Sequence, residues 1–558
     1  MLRGTKRNEG EETMAGRLLS GTQLLNDAHY NRGTAFSQQE RAALKLEGLL
    51  PAVVDDLPTQ IKRVLGHLEA KPTDLERYIY LQELCDRNET LFYAVCMSDP
   101  ARFVPIVYDP TIADACLTYG QIYRRPQGMY LTKEMKGRFK EVLSNWPQKE
   151  VRFICITSGG RILGLGDIGA DGAPIPIGKL QLYTACAAVP PQGLLPLHFD
   201  IGTTNAKLLA DPLYTGLRSE PPPPDEIDAL VDEFMQAANE VFPGVCIHFE
   251  DWKGVDAIRL LARYKDKYLV LNDDIQGTAA VTIAGLTTAL QIKNEKLSDQ
   301  RIMFAGAGSA GIGIANMIVE AMQDEGLSQK QAQARIAMYD IKGLLDDARE
   351  DLSPSQQVYE VHLPATTSLA AAVKAFKPTT LIGVSTTPGL FTEEVVKAVA
   401  ANTDRPIIFP LSNPTDKAEC TPDQAYGWTN GKALFAAGVQ FPDVTYQGTT
   451  YHPGQANNFY IFPAFGLAIY ATKPKRIDDK MWIAAAKGSA DQVDQAARDR
   501  GMLFPPQSDI LKTEINTAVS VCQHIFDRGL ATVERPQDIH AWLQGLIYTP
   551  SYTGGPGF

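Results

Sequence analysis

The sequence lacks the features of a secreted, membrane or nucleic-acid-binding protein. Its eight cysteines include no closely spaced pair, which argues against a zinc cluster or a disulfide framework and is typical of a reducing compartment. Basic residues are in deficit, with 53 Lys and Arg against 65 Asp and Glu, and the net charge of −12 disfavours phosphate backbones and anionic bilayers. No apolar run approaches the roughly 20 residues that cross a bilayer, and the first twenty residues lack a signal-peptide core. We therefore predict a cytoplasmic protein with no nucleic-acid or membrane partner.

The spacing of apolar residues changes along the chain. Residues 20–128 have apolar positions three and four apart, which predicts a helical N-terminal region. Short β-rich runs separated by helix-length stretches follow, which is typical of parallel βαβ units. We predict an α/β protein with one α/β domain formed by residues 129–272 plus 459–535. Residues 273–458 then form a doubly wound, Rossmann-type domain, and residues 536–558 form a C-terminal tail.

A glycine-rich turn lies near the start of the predicted Rossmann-type domain. Gly306, Gly308 and Gly311 follow the apolar run RIMFA and open a helix that begins near Ser309 and Ala310. In a dinucleotide site the first glycine permits the tight turn, the second lets pyrophosphate approach the backbone, and the third lets the helix pack on the strand. The phosphates then lie at the helix N-terminus. We predict that these five residues bind a dinucleotide.

The residue that ends the next predicted strand, RIAMYD, is Asp340. A carboxylate at this position can accept hydrogen bonds from the adenosine ribose and would repel a 2′-phosphate. Gln356 and Gln357, rather than a basic residue, occupy the following loop region, although Arg349 lies in the same stretch. We therefore predict NAD rather than NADP as the cofactor.

Two acidic pairs follow predicted strands. Glu250 and Asp251 end VCIHFED, and Asp273 and Asp274 end YLVLNDD. A single acid at a strand end is more often a cap or turn residue, but clustered carboxylates repel one another unless a cation or proton intervenes. We interpret them as hard oxygen donors without a nearby His or Cys, which favours Mg²⁺ or Mn²⁺ over Zn²⁺.

Six ordered blocks resemble the malic enzymes, in a match that spans about residues 20–530. The blocks are GRILGLGD (160–167), IPIGKLQLYTA (175–185), FEDW (249–252), NDDIQGTAAV (272–281), PLSNPT (410–415) and GQANNFYIFP (454–463). The resemblance implies NAD-dependent oxidative decarboxylation of L-malate to pyruvate and CO₂. It also implies a divalent cation that stabilises the oxaloacetate and enolate intermediates, and a homo-oligomer, either a dimer or a tetramer.

The resemblance further implies a role for each matching residue. Lys179 would be the general base, Tyr108 in PIVYDP the general acid, and Asp273 a partner of Lys179. The first α/β domain would then bind substrate and metal, and the second would bind NAD. The implied metal ligands are Glu250, Asp251 and Asp274; the implied substrate residues are Arg161, Asn413, Asn457 and Asn458; and Arg161, Asp274 and Asn413 would also contact NAD.

Asp109, directly after Tyr108, departs from the pattern. Most malic enzymes have Thr here, whereas malolactic enzymes, which convert L-malate to L-lactate with tightly held NAD, share the Asp. The segment IYRRPQGMYLT (122–132) resembles malic enzyme more closely. A malolactic enzyme, a 2-hydroxyacid dehydrogenase without decarboxylation and a non-catalytic metabolite-binding protein on the same fold remain open alternatives.

Overall fold

The computed structural model describes residues 19–162 and 164–552. The expectation for the first twenty residues therefore lies almost entirely outside the described part. The chain divides into two compact units. The first unit contains the described residues up to Asp99 together with those from Thr549, and the second unit is Pro100–Tyr548.

The first unit is helical, as its apolar spacing predicts. Side-chain caps begin most of its helices, for example Ser37, whose hydroxyl accepts from the Glu40 N–H while Glu40 accepts from the Ser37 N–H. Its helices are α1 Gly21–Leu25, α2 Gln38–Ala43, α3 Leu57–Glu69, α4 Asp74–Arg87 and α5 Glu89–Ser98.

A five-stranded parallel sheet forms the first half of the second unit, with the strand order β1-β3-β2-β4-β5. Its strands are apolar on both faces and helices cover them, as is usual for parallel sheets. The elements are α6 Pro100–Val107, α7 Thr111–Leu117, α8 Tyr119–Ile122, β1 Met129–Thr132, α9 Phe139–Leu143, β2 Phe153–Thr157, α10 Pro174–Ala187, β3 Leu194–Asp200, α11 Ala206–Ala210, α12 Pro224–Val241, β4 Cys246–Phe249, α13 Gly254–Tyr264 and β5 Val270–Asn272. All fourteen residues of α10 are buried, so this helix lies in the interior.

A seven-stranded sheet follows, with the order β14-β11-β10-β9-β6-β7-β8. All of its strand pairs are parallel except β7 with β8. The elements are α14 Thr278–Lys293, β6 Ile302–Ala305, α15 Ser309–Asp324, α16 Gln329–Gln333, β7 Ile336–Asp340, β8 Gly343–Leu344, α17 Pro354–Gln357, α18 Leu369–Phe376, β9 Thr380–Gly383, α19 Glu393–Ala400, β10 Ile407–Pro410, α20 Pro422–Trp428, β11 Leu434–Ala437, the hairpin β12 Val444–Tyr446 and β13 Thr449–Tyr451, and β14 Gly454–Gln455. The strand order reverses between β6 and β9, which is where doubly wound sheets bind their ligands. This topology confirms the predicted fold class.

The chain then returns to the first α/β layer as helices. Helices α21 and α22 pack on α24, and they also contact α10 and α14 respectively. These C-terminal helices are α21 Phe462–Thr472, α22 Asp479–Ala490, α23 Gln495–Asp499, α24 Ile510–Asp527 and α25 Ile539–Gln544.

One helical stretch, Asp273–Lys293, is long and apolar enough to span a bilayer by length and composition, which the sequence interpretation overlooked. Its most apolar window is 72% buried inside the protein. The core helix of a globular domain has the same properties, so the stretch is weak evidence for a membrane segment.

Candidate active site

Lys179 lies at the centre of a buried charge cluster. Its Nζ is 2.5 Å from Asp273 Oδ2 and 2.9 Å from Glu250 Oε1, and all three side chains are at most 4% exposed. Helix α10 supplies the lysine, while the ends of β4 and β5 supply the acids. Burial alone would lower the pKa of Lys179, but the charges of Asp273 and Glu250 outweigh it and hold that pKa well above its usual value.

Asp251 and Asp274 lie in the same buried cleft. Asp274 Oδ2 accepts a hydrogen bond from the Asp251 N–H at 2.8 Å, so the two acidic strand ends are in direct contact. Burial, reinforced by neighbouring carboxylates, raises the pKa of Glu250 to about 7 and that of Asp274 to about 8, and raises the pKa of Asp251 as well. Within the cluster, Lys179 is the cation that opposes these shifts.

The backbone at both acidic pairs is unusual. Asp251 has a φ of +52°, a left-handed conformation that costs a non-glycine residue of order 1 kcal/mol and is often found at functional sites. Asp273–Gly277 forms a π-helical turn ahead of α14, capped by the Asn272 side chain, which accepts from the Ile275 N–H at 3.0 Å. π-Helical turns recur at functional sites as well.

The donor set fits a hard divalent cation. Four carboxylates and one ammonium share a buried cleft, and burial together with the neighbouring carboxylates raises the pKa values of Glu250, Asp251 and Asp274. Carboxylate oxygens are the ligands that Mg²⁺ and Mn²⁺ prefer. Glu250, Asp251 and Asp274 would hold the ion, while Asp273, the acid closest to Lys179, would hold the ammonium.

His248 corrects the sequence interpretation, which found no His near these acids. Its Nε2 lies 2.8 Å from Glu250 Oε2, and its Nδ1 lies 3.0 Å from the Tyr183 hydroxyl. Possible ligand atoms of His248, Glu250 and Asp273 lie within 4.8 Å of one another. Burial lowers the pKa of His248 to about 4. The available signal was alternation, since His248 and Glu250 lie two residues apart at the end of one strand and therefore point to the same side.

Tyr108 lies over the lysine. Lys179 Nζ is 5.3 Å from the centre of the Tyr108 ring, and the missing side chain of Gly178 makes the approach possible, since a Cβ there would lie 2.8 Å from Tyr108 Cδ2. Burial, assisted by the nearby carboxylates, raises the pKa of Tyr108 well above 10 despite the charge of Lys179. The phenol is therefore protonated at neutral pH.

The two neighbouring asparagines have different positions. Asn458 Nδ2 donates to Asp273 Oδ2 at 3.0 Å and lies 3.2 Å from Thr278 Oγ1. The side chain of Asn457 instead caps the following turn, where it accepts from the Phe459 N–H at 3.1 Å. Only Asn458 is thus brought into contact with the charge cluster by these hydrogen bonds.

Arg161 and Asn413 lie towards the second sheet. The Arg161 N–H donates to the Asp251 carbonyl at 3.3 Å, and a Cβ on Gly254 would lie 3.3 Å from Arg161 Nη1 and 3.6 Å from Ser309 Oγ. Arg161 therefore lies near both the acids and the glycine-rich turn. Asn413 Oδ1 is buried without a hydrogen-bond partner in the described part of the chain, so it can accept a hydrogen bond from a bound ligand.

The glycine-rich turn has the geometry that its motif predicts. Gly306 has a φ of +121°, and a Cβ on Gly311 would lie 2.3 Å from the Gly306 carbonyl oxygen, so the helix packs directly on the turn. Gly308 caps α15, which begins with Ser309 and Ala310, and its open side has no atom within 4 Å of an added Cβ. The turn therefore fits a dinucleotide pyrophosphate.

Asp340, at the end of β7, is already paired. Arg349 Nη1 and Nη2 lie 2.8 Å and 3.0 Å from its two oxygens, and Arg349 also contacts Asp351 at 2.9 Å. Gln356, which the structure places in α17 rather than in a loop, donates to the Ala307 carbonyl in the glycine-rich turn at 3.1 Å. Sequence reasoning missed the Asp340–Arg349 pair, because it depends on the path of the loop between them.

Two α/β sheets, the second with a glycine-rich turn at its switch point, place the chain among proteins with a Rossmann-type dinucleotide-binding fold, and comparisons with known proteins define it further. Family models described as "Malic enzyme, N-terminal domain" and "Malic enzyme, NAD binding domain" match residues 85–265 and 275–526. The chain is 44% identical over 535 residues to the NADP-dependent malic enzyme of Mus musculus, covering 95% of this chain and 94% of that protein. It is 42% identical to the mitochondrial NADP-dependent malic enzyme of Homo sapiens, covering 95% and 89% of the two chains.

Solved structures agree at the level of the fold. The malic enzyme of Entamoeba histolytica superposes with a TM-score of 0.56 at 22% identity, over 91% of each chain. That of Pyrococcus horikoshii Ot3 gives 0.52 at 21% identity, over 80% of this chain and 89% of that one. The chain belongs to the malic enzyme family.

Proposed function

We propose that this protein catalyses the NAD-dependent oxidative decarboxylation of L-malate to pyruvate and CO₂ with Mg²⁺ or Mn²⁺. The observation that carries the proposal is the buried contact of Lys179 with Asp273 and Glu250, beneath the ring of Tyr108, whose hydroxyl keeps its proton. It combines a base, an acid and carboxylate ligands in one cleft. Relatives named NADP-dependent malic enzyme support the same reaction with a pyridine nucleotide.

Each residue has a chemical task in this reaction. When bound, the dinucleotide accepts hydride from malate C2 and the divalent cation polarises the C2 oxygen. Lys179 removes the proton of the C2 hydroxyl, and after the C3–C4 bond breaks to release CO₂, Tyr108 delivers a proton to C3. Asp273 and Asn458 hold Lys179 in place. Arg161 and Asn413 would contact the malate carboxylate and the nicotinamide.

The protonation of Lys179 depends on charge balance. In the cluster as it stands, Asp273 and Glu250 keep the ammonium charged, which suits a resting enzyme but not a base. A divalent cation at Glu250, Asp251 and Asp274 would offset these charges and lower the pKa of Lys179. The base would therefore become active only in the metal-loaded enzyme.

The preference for NAD is the finer part of the proposal. Asp340 ends β7, the strand that follows the glycine-rich turn, and a carboxylate at such a strand end would repel a 2′-phosphate, while Gln356 supplies no positive charge. Arg349, the nearby cation, is engaged by Asp340 and Asp351 together. The relatives compared above carry NADP in their names, so this proposal distinguishes the chain from them.

The test is a malate oxidation assay with Mn²⁺ and either NAD⁺ or NADP⁺, with and without EDTA, in which products are identified. We expect equimolar pyruvate and NADH, loss of both with EDTA, and no turnover by Lys179→Ala. Lactate with little NADH would identify a malolactic enzyme, and oxaloacetate alone would identify a simple dehydrogenase. Binding of malate and NAD⁺ without turnover would overturn the proposal in favour of a binding protein.

We further propose a cytoplasmic homo-oligomer, either a dimer or a tetramer. The eight cysteines are free, and seven of them are buried, which supports a reducing compartment. Light scattering coupled to size-exclusion chromatography measures the mass of the assembly, and a mass close to 61.1 kDa, that of one chain, would contradict the oligomer. Fractionation of the source cells tests the location.

A further inference from the structure

Two side-chain contacts join helix α10 to the end of strand β4. In the first contact Lys179 Nζ lies 2.9 Å from Glu250 Oε1, and in the second the Tyr183 hydroxyl lies 3.0 Å from His248 Nδ1. Residues four apart on a helix are separated by about 6 Å along its axis, and residues two apart on a strand by about 7 Å. The two spacings nearly match, which allows both contacts to form between the same helix and strand.

His248 also connects these two contacts, because it bonds to Glu250. Its Nε2 lies 2.8 Å from Glu250 Oε2, so each oxygen of Glu250 is held, one by Lys179 and the other by His248. An ionised Glu250 can only accept, so His248 Nε2 carries the proton and donates to it, and Nδ1 then accepts from the Tyr183 hydroxyl. One hydrogen-bonded chain thus runs from Tyr183 through His248 and Glu250 to Lys179.

Helix α21 encloses this chain of contacts. The Phe462 ring lies 4.4 Å from Lys179 Nζ, and its centre is 5.3 Å from that of Tyr183 and 6.0 Å from that of His248. Gly466 permits the close approach, because a Cβ there would lie 2.0 Å from Tyr183 Cε1. Tyr183 and His248 are both fully buried, so their rings have little freedom to turn.

We propose that His248, oriented by Tyr183, is a positioning residue. It fixes the Glu250 carboxylate for cation binding, and through Glu250 it keeps Lys179 beside the acidic ends of β4 and β5. Neither ring bears a reacting group. The inference rests on the proposed function, because Glu250 is a cation ligand only there. Groups that orient ligands typically change metal affinity or activity by about 10- to 100-fold when removed.

The experiment measures Mn²⁺ affinity of the full chain without substrate, by electron paramagnetic resonance of free Mn²⁺. His248→Leu removes both hydrogen bonds and should raise the Kd for Mn²⁺ about 10- to 100-fold. His248→Gln can donate to Glu250 and accept from Tyr183 through one amide, and should stay within about threefold of the wild type. Tyr183→Phe leaves the imidazole unoriented and should fall between them.

The matched control is His198→Gln. His198 is a buried histidine of the same sheet, and its Nε2 donates to the Gly169 carbonyl at 2.9 Å rather than to an acid. Its substitution should leave the Kd for Mn²⁺ unchanged. In turnover assays, saturating Mn²⁺ should restore most of the kcat of His248→Leu, because the defect lies in binding the ion. A purely structural defect would lower kcat at every Mn²⁺ concentration.

Wild-type Mn²⁺ affinity in His248→Leu would overturn the positioning role while leaving the proposed function intact. Equal weakening by His248→Leu and His248→Gln would overturn it too, since ring packing rather than hydrogen bonding would then matter. If His248→Leu does not fold, Tyr183→Phe and His248→Gln decide between the same outcomes. Failure of the wild type to bind Mn²⁺ or oxidise malate would overturn the proposed function, and the inference with it.

Discussion

Asn458 donates from its Nδ2 to Asp273 Oδ2 at 3.0 Å, although 185 residues separate the two in sequence. The same carboxylate oxygen receives the ammonium of Lys179 at 2.5 Å. Asp273 is therefore held on two sides by groups from α10 and from the segment before α21. Its neighbour Asp274 accepts only from the Asp251 N–H in the described hydrogen bonds, and does so through Oδ2, so its Oδ1 can meet a cation.

This arrangement predicts different defects for the two neighbouring aspartates. Asp273→Asn should lower kcat about 100-fold through Lys179, and should leave the Kd for Mn²⁺ within about threefold of the wild type. Asp274→Asn should weaken Mn²⁺ binding about tenfold or more, because it removes a ligand charge. Mn²⁺ titration and steady-state kinetics on both variants provide the measurement. Similar losses of Mn²⁺ affinity in the two variants would contradict the division of roles.

Tyr108→Phe should separate oxidation from protonation. The raised pKa of Tyr108 keeps its proton available at neutral pH, and loss of the hydroxyl should slow proton delivery to C3 about 100-fold or more. Exchange of the pyruvate methyl protons with deuterium, followed by NMR in the presence of Mn²⁺ and the dinucleotide, isolates this step. Tyr119→Phe, which alters a tyrosine bonded to Tyr130, is the matched control. Rapid exchange in the Tyr108→Phe variant would exclude Tyr108 as the acid.

The sequence predicted the parts of the site that follow from strand ends and motif spacing. Hydrophobic runs followed by acidic pairs identified β4 and β5, and parallel topology requires their carboxyl ends to share one edge of the sheet. The glycine-rich turn was recognisable for the same reason, since strand, turn and helix are consecutive in the chain. These features are local, or follow from a topology that local patterns define.

What sequence reasoning missed depends on contacts between distant segments or on backbone rotation. The Tyr183–His248 bond requires the exact placement of α10 against β4, and the Asp340–Arg349 pair requires the path of the eight residues between them, which include β8. The left-handed conformation of Asp251 has no sequence signal, because aspartate is common at ordinary strand ends. Asn457 and Asn458 are chemically identical, and only the backbone decides which one faces Asp273.

The metal-free protein should lose stability as pH rises. Glu250 and Asp274 have pKa values of about 7 and about 8, above those of unfolded carboxyls, so the native state binds more protons than the unfolded state between roughly pH 4.5 and pH 8. Their favourable contribution is fully present below pH 4 and is lost as pH rises through these values. Lys179, with its raised pKa, stays charged throughout and adds no slope in this window.

Thermal unfolding with EDTA or with Mn²⁺ measures this effect. The rise in Tm on adding Mn²⁺ should be larger at pH 8 than at pH 6, because at the lower pH protons compete with the ion for Glu250 and Asp274. Comparing increments rather than absolute Tm values cancels the titration of groups elsewhere in the chain. Equal increments at the two pH values would show that the acids are ionised before the ion binds.

Asp340→Ser should shift the cofactor preference towards NADP. The substitution removes the carboxylate that would repel a 2′-phosphate and releases one side of Arg349, which Asp351 still holds. A hydrogen bond to a charged group contributes about 1.5–3 kcal/mol, so the ratio of kcat/KM for NADP⁺ to that for NAD⁺ should rise about 10- to 100-fold. Asp347→Asn is the control, because Asp347 lies in the same loop but pairs with the exposed His362. An unchanged ratio in Asp340→Ser, or a wild-type enzyme that already prefers NADP⁺, would show that Asp340 serves only to anchor Arg349.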